Sequence, residues 1–443
     1  MQQDLLFRYI HKTHFGFYVW PKENLVYAPS THQPKLDRTP SEMSDAERIV
    51  HAFFKDNQNI KRLFSFLTLE HKKGFDFFDV ERFGMFKALF RNFGDMFLDD
   101  IRPELETMVA DHRESVQRAA AELMASIIRG SKHWPYEKID KLWSWLLPTI
   151  RVALNNVSPE TQRDWGTCFA TSSDNRDPNK LHWLMEVAME EPIRSQGSFI
   201  DASRLYMLQS VVAQQRWRVG QLLHRLLDFL LPFLDHPFHN VRSRLGAVLT
   251  NIFALDISFG ELGNASVTSP VERDFVDLLL PRLTPLLQSD VDKDEKALRL
   301  LQTVSKWICS SLTHNLGLMK EHMLEFIPLL LQYEWYDRDP QLARDCQVSL
   351  SYISRSPFRV EALGRVLRML QGILGTSSWR TKLSTLDFLQ AAVFNNFINL
   401  INSAPEVRGV VMDIVDLGLF DEQLEVRVKA SQVIFLKGKR KDL

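Results

Sequence analysis

The sequence predicts an all-α protein of the HEAT or armadillo class, a solenoid of stacked helical hairpins, on three observations. An apolar segment carrying Pro, any residue, then Leu or Ile returns at Pro103, Pro148, Pro232, Pro281 and Pro328, with gaps of 45, 84, 49 and 47 residues, the second close to two units of 42. A second skeleton is an apolar residue, Arg, any residue, a base, Leu or Ala, then an apolar residue three further on. It occurs at Val241/Arg242/Arg244/Leu245/Val248, at Trp379/Arg380/Lys382/Leu383/Leu386 and at Val426/Arg427/Lys429/Ala430/Val433. Arg242 and Arg380 lie 138 residues apart, three units of 46, and Arg380 and Arg427 lie 47 apart. Apolar residues recur at three- and four-residue spacing through most of the chain, the period of a helix with one buried face. Two- or three-helix units repeating every forty-odd residues are the signature of this class, because one hairpin is too small to close its own core and its apolar stripe must be completed by the next.

The elements follow in chain order. Residues 1–45 read as an irregular, aromatic-rich segment, in which "FGFYVWPKENLVY" is β-prone and "APSTHQPKLDRTPSE" is a Pro- and Ser-bearing loop. Residues 46–373 read as HEAT-like repeats. "RPELETMVADHRESVQRAAAELMASII" forms one hairpin, and "TSSDNRDPNK" at 171–180 is a long insertion between helices. In 221–253, "QLLHRLLDFLLPFL" is a helix that Pro232 bends, "DHPFHN" turns, and "VRSRLGAVLTNIF" returns. Val241, Leu245, Val248 and Leu249 fall on one face of the returning helix, and Arg242 and Arg244 project elsewhere, as solvent-side or inter-repeat partners. Two further hairpins are "DFVDLLLPRLTPLLQ" with "DKDEKALRLLQTVSKWICSSL" and "EHMLEFIPLLLQYEW" with "DPQLARDCQVSLSYI". Residues 374–443 continue the pattern.

Composition narrows the chemistry. With 45% apolar residues in 443 the chain has ample core material. Lys plus Arg (54) nearly balances Asp plus Glu (55), so no positive field draws it to nucleic acid or acidic lipid. Three scattered cysteines, Cys168, Cys309 and Cys346, fit a reducing compartment, cytoplasm or nucleus. The longest apolar tract, near Leu226–Leu234, is cut by Asp228 and Pro232 and falls short of the roughly 20 residues of a membrane span.

Catalytic motifs do not survive weighing. The chain has no GxSxG, Walker, GxGxxG or HExxH pattern. "DVDKDE" (Asp290, Asp292, Asp294) resembles the start of a calcium loop but has Glu295 where the turn Gly belongs and Leu301 in the place of the bidentate Glu; it reads as an acidic turn favourable to the next helix N-terminus. His11/His14 and His236/His239 lack the further ligands of a metal site. "KGKRK" (Lys437, Lys439, Arg440, Lys441) reads as a solvated end, and Trp143, Trp145 and Trp307 read as packing residues. No residue is assigned a catalytic, cofactor-binding or metal-binding role, partner-binding residues stay unassigned, and the chain is expected not to be an enzyme.

The segment "EKIDKLWSWLLPTIRVALNNVSPETQRDWGTCFATSSDNRDPNKLHWLMEV" resembles the large single-chain HEAT-repeat activators of the core proteasome. Its most specific part is 164–184, with Trp165, Cys168, Arg176, Asp177, Pro178, His182 and Trp183; "THFGFYVWPKENLVY", "SWRTKLSTLDFLQAAVFNNF" and "FDEQLEVRVKAS" are similar too. The resemblance spans nearly the whole chain and only part of a family member, as expected of a truncated form from the C-terminal half. It implies a cap on the proteasome α-ring that opens the gate and promotes ubiquitin- and ATP-independent degradation, including that of acetylated histones, without membrane or direct nucleic-acid partners. It implies no cofactor and leaves inositol phosphates open as ligands. It also implies that a bromodomain-like region begins near residue 374, only its opening part being present. The family's docking tail has a penultimate aromatic, whereas this chain has Asp442 there. The alternative reading is a generic HEAT-repeat scaffold or a binding protein like the nuclear transport receptors.

Overall fold

The structure is a computed structural model that describes residues 36–69, 77–173, 182–190, 197–215, 222–253, 270–287, 294–314 and 320–438. Among the described residues all regular structure is helical, twenty α-helices with short 3₁₀ turns and no strand. The β-prone stretch 15–27 and most of the insertion at 171–180 lie outside them. The chain divides into two compact units, residues 1–221 and 222–443.

In the first unit, α1 (Asp45–Phe54) starts at a reciprocal cap, in which the Ser44 amide donates to Glu47 at 2.8 Å and the Glu47 amide returns to the Ser44 hydroxyl. There follow α2 (Asn57–Leu67), α3 (Val80–Phe93), α4 (Leu98–Ala110), α5 (Glu114–Gly130), α6 (Tyr136–Asn155), α7 (Gln162–Ser172), α8 (His182–Ala188) and α9 (Ser198–Gln215). Helices α2, α4, α6 and α8 form one layer, each against the next, and α3, α5, α7 and α9 form the other. Helix α5 is therefore enclosed on nearly every side: Ala120, Ala121, Leu123, Met124, Ala125 and Ile127 are fully buried. Its run of alanines is the sequence's answer to that crowding, since small side chains let neighbouring helices approach on both flanks.

The second unit repeats the plan with α10 (Leu223–Leu230), α11 (His239–Phe253), α12 (Pro270–Leu283), α13 (Glu295–His314), α14 (Ile327–Tyr333), α15 (Pro340–Arg355), α16 (Val360–Thr376), α17 (Trp379–Asn395), α18 (Phe397–Ile401), α19 (Pro405–Leu419) and α20 (Leu424–Gly438). Here α11, α13, α15, α17 and α20 stack in series. Val241, Leu245, Val248 and Leu249 are all fully buried, as the spacing predicts, each contributing roughly 1.5–3 kcal/mol of burial free energy. Gly246 marks the closest approach: a Cβ there would lie 2.8 Å from Lys306 Cβ and 2.9 Å from the Trp307 amide nitrogen on α13.

The recurrent prolines do not share one local geometry. Pro103, Pro148 and Pro281 sit inside α4, α6 and α12, whereas Pro328 opens α14. Pro232 does more than bend its helix: α10 ends at Leu230 and residues 231–233 tighten into a 3₁₀ turn.

Candidate functional site: the seams between repeats

The period read from the sequence reappears as the separation of residues that bond across adjacent hairpins. Trp165 Nε1 donates to Gln117 Oε1 at 2.8 Å over 48 residues, and Asn156 Nδ2 donates to the Val109 carbonyl at 3.0 Å over 47. Arg204 reaches Asn155 at 3.0 Å over 49, and Trp335 Nε1 reaches Ser384 Oγ at 2.7 Å over 49. These bonds fix the register in which one apolar stripe meets the next, something hydrophobic contact alone does not specify.

Arg242 corrects the expectation that the skeleton's bases project away from the core. It is only 6% exposed, and its Nη1 donates to the carbonyls of His236 at 2.6 Å and Pro237 at 2.7 Å. Arg427 repeats the arrangement, with Nη1 at 2.8 Å from the carbonyls of Asp421 and Glu422, again six and five residues upstream. The turn before each helix is thus clamped onto the helix it feeds. Arg380 cannot do this, because only Ser377 and Ser378 separate α16 from α17 and the carbonyls five and six residues back lie within α16. It instead approaches Asp337 at 3.4 Å and is half exposed. Lys382 and Lys429 are the inter-repeat partners the sequence anticipates: Lys382 Nζ lies 2.6 Å from Asp421, and Lys429 pairs with Asp387. Burial pushes the Asp421 carboxyl up, but the bond from Lys382 and the Gln423 amide outweigh it and hold the group below its usual range.

Two buried ionic clusters carried no signal in motif terms. In the first, Glu122 on α5 is 2% exposed and accepts the Asp79 amide at 2.6 Å and Arg82 Nη2 at 3.1 Å, while Asp164 on α7 accepts Arg118 Nε at 3.1 Å and the Phe78 amide at 3.0 Å. Burial is the main cause that raises both carboxyls, Glu122 to about 7. In the second, Lys320 bonds Glu272 and donates to the Phe253 carbonyl at 2.8 Å, with His322 Nε2 3.5 Å from Glu272; all three side chains are buried. The only hint in sequence is charge placed where the helical period demands apolar residues, as with Arg118 and Glu122 flanking the alanines of α5.

The other singled-out residues take structural positions. His236 is buried and accepts the Phe238 amide at Nδ1, while His239 is exposed. Asp294 caps α13 by accepting the Ala297 amide at 3.0 Å; Asp290, Asp292, His11, His14 and Lys439–Lys441 lie outside the described residues. Trp143 and Trp307 are buried, and Trp145 donates to Glu106 at 2.7 Å. Cys168, Cys309 and Cys346 are buried thiols; burial pushes Cys168 up to about 12 and Cys309 to about 11, so they stay protonated at neutral pH. Among the described residues no cluster of three metal-ligating side chains occurs and no helix is long and apolar enough to cross a membrane. A small cavity lies at the seam of α11, α13 and α15, lined by Arg242, Gln302, Lys306, Leu342 and Asp345 among others. The second unit also exposes large apolar side chains towards its end, Phe394, Ile398, Phe420 and Leu424 each by 60% or more.

Comparison with known proteins follows the same lines. Residues 4–210 match the family described as proteasome activator complex subunit 4-like, HEAT repeat-like. Proteasome activator complex subunit 4B of Danio rerio is 42% identical over 98% of this chain and 25% of its own length. Proteasome activator complex subunit 4 of Xenopus laevis is 42% identical and that of Homo sapiens 41%, each over 96% of this chain and 24% of its own length. The chain thus spans about a quarter of these relatives. A solved engineered protein aligns at a TM-score of 0.28 and 12% identity over 89% of this chain and 98% of its own, too distant to carry an argument.

Proposed function

We propose, from 41–42% identity to proteasome activator complex subunit 4 proteins along 96–98% of its residues, that the chain serves as a non-catalytic helical-repeat element of a proteasome activator. The observation that carries this reading is the 42% identity across nearly all of the chain. The seams support it: the bonds of Trp165 to Gln117 and of Trp335 to Ser384 join successive repeats and hold them in one register, as a helical-repeat element requires. In this reading the partner is the core proteasome and its α-ring, and the work done is gating, not bond cleavage.

The finer parts of the proposal rest on resemblance alone: degradation without ubiquitin or ATP, acetylated histones among the substrates, no cofactor beyond inositol phosphates as candidate ligands, and residence in cytoplasm and nucleus. Hydrolysis of a fluorogenic peptide by latent core particles tests the central claim. Added chain is expected to bind the particle and change that rate, by activation or, since it spans a quarter of its relatives, by competition with a full-length activator. Absence of binding together with absence of either effect would overturn the reading.

A further inference from the structure

Helix α1 presents to solvent the face that a surface helix ordinarily buries. Its inner side is fastened largely by polar and aromatic groups. His51 and Phe54 lie 5.8 and 5.5 Å from the Phe97 ring, centroid to centroid. Lys55 Nζ reaches the Met96 carbonyl at 2.9 Å and Asp100 at 2.7 Å, and Arg48 Nη1 donates to the Met43 carbonyl at 3.0 Å. At ~100° per residue, Ala46, Ile49 and Phe53 fall on the side opposite His51. Ile49 is 72% and Phe53 39% exposed, Ala46 is exposed with them, and of the helix only Phe54 is buried. An apolar stripe turned outwards in this way marks an interaction surface.

Residues 36–44 fix where the preceding chain departs. Leu36 seats on Gly94, where a Cβ would come within 3.1 Å of it, and Asp37 and Asp95 both pair with Lys138. Arg38 donates to the Asn92 carbonyl at 3.1 Å and pairs at 2.8 Å with Glu47 in the first turn of α1. The residues before Leu36 therefore start out from beside α1. They lie outside the described residues and include "FGFYVWPKENLVY" (15–27), which has five aromatics and, with one Lys and one Glu, no net charge.

We propose that residues 15–27 of this chain dock on the Ala46/Ile49/Phe53 face of α1. Reach permits it: the eight residues 28–35 span up to about 26 Å when extended, against about 15 Å for the whole length of α1. Chemistry favours it, because aromatic side chains supply large apolar area to Ile49 and Phe53, and a segment without net charge brings no unpaired ion to an apolar face. Connectivity selects this occupant over others. A tethered segment competes for such a face at an effective concentration in the millimolar range, well above that of a second copy or a free partner.

Photo-cross-linking of the full chain tests this. Benzoylphenylalanine is placed at Phe53, on the outer face of α1, and the products of irradiation are separated by size and mapped by mass spectrometry. The expected product is a single chain joined from position 53 to residues 15–27. A product joining two chains, links that fall only in other segments, or no link would each overturn the docking. Tryptic cleavage after Lys22 gives a second reading. Ile49→Asp is expected to raise its rate about tenfold, since cleavage follows the population of the undocked segment, and Ile49→Val to leave it within about twofold. An unchanged rate in Ile49→Asp, or equal acceleration by Ile49→Val, would also overturn the docking. The cross-link, made on an otherwise native chain, carries the test if Ile49→Asp does not fold.

Discussion

Replacing Arg242, Arg380 and Arg427 one at a time by Ala separates what the repeated skeleton says from what the structure says. The skeleton makes the three equivalent; the structure does not. Arg242 is buried and donates two short bonds to turn carbonyls, at 2.6 and 2.7 Å. Charge-assisted bonds contribute about 1.5–3 kcal/mol each, and the cost of burying the guanidinium offsets part of this, so Arg242→Ala is expected to cost about 2–4 kcal/mol. Much of that is the penalty on the two carbonyls left behind. Arg427 makes the same pair of bonds at 2.8 Å from a more open position, and its loss is expected to cost about 1 kcal/mol. Arg380, half exposed with one long contact to Asp337, is expected to cost less than about 0.5 kcal/mol. Urea unfolding ranks the variants, and hydrogen exchange at residues 234–239 locates the first loss at the turn. Equal losses at the three positions, or the largest at Arg380, would refute the clamp.

Gly246→Val places a side chain where even a Cβ meets Lys306 Cβ at 2.8 Å and a backbone nitrogen at 2.9 Å, so α11 and α13 must part; a loss of about 1–3 kcal/mol, seen as a lowered urea midpoint, is expected, and an unchanged midpoint would contradict that approach. The Cys168 thiol, fully buried and pushed up to about 12, has a thiolate fraction of about one in ten thousand near pH 8. Iodoacetamide should therefore leave it intact in the native chain and label it promptly in urea, whereas native labelling at the denatured rate would show the site to be open.

Much of this was legible in the residues themselves. The mid-forties period, the hairpins at 98–130, 223–253 and 270–314, and the burial of Val241, Leu245, Val248 and Leu249 follow from apolar spacing, because a helix's face is decided by neighbours three and four positions away. The capping signal at Asp294 was equally local, its carboxylate accepting the Ala297 amide at 3.0 Å. The resemblance carried by residues 164–184 pointed to the same relatives that the comparisons found.

Tertiary structure decided the charges. Whether an arginine of the skeleton is solvated or buried turns on the length of the preceding turn: residues 234–238 separate the 3₁₀ turn from α11 and supply carbonyls to Arg242, whereas only Ser377 and Ser378 precede α17 and Arg380. Glu122, Asp164, Glu272 and Lys320 look like ordinary surface ions until hairpins some forty-five residues away close over them. Apolar periodicity is written within one helix, so the chain alone determines the repeat; the free energy of an ion depends on everything that replaces its water, and that is settled only when the next repeat is in place.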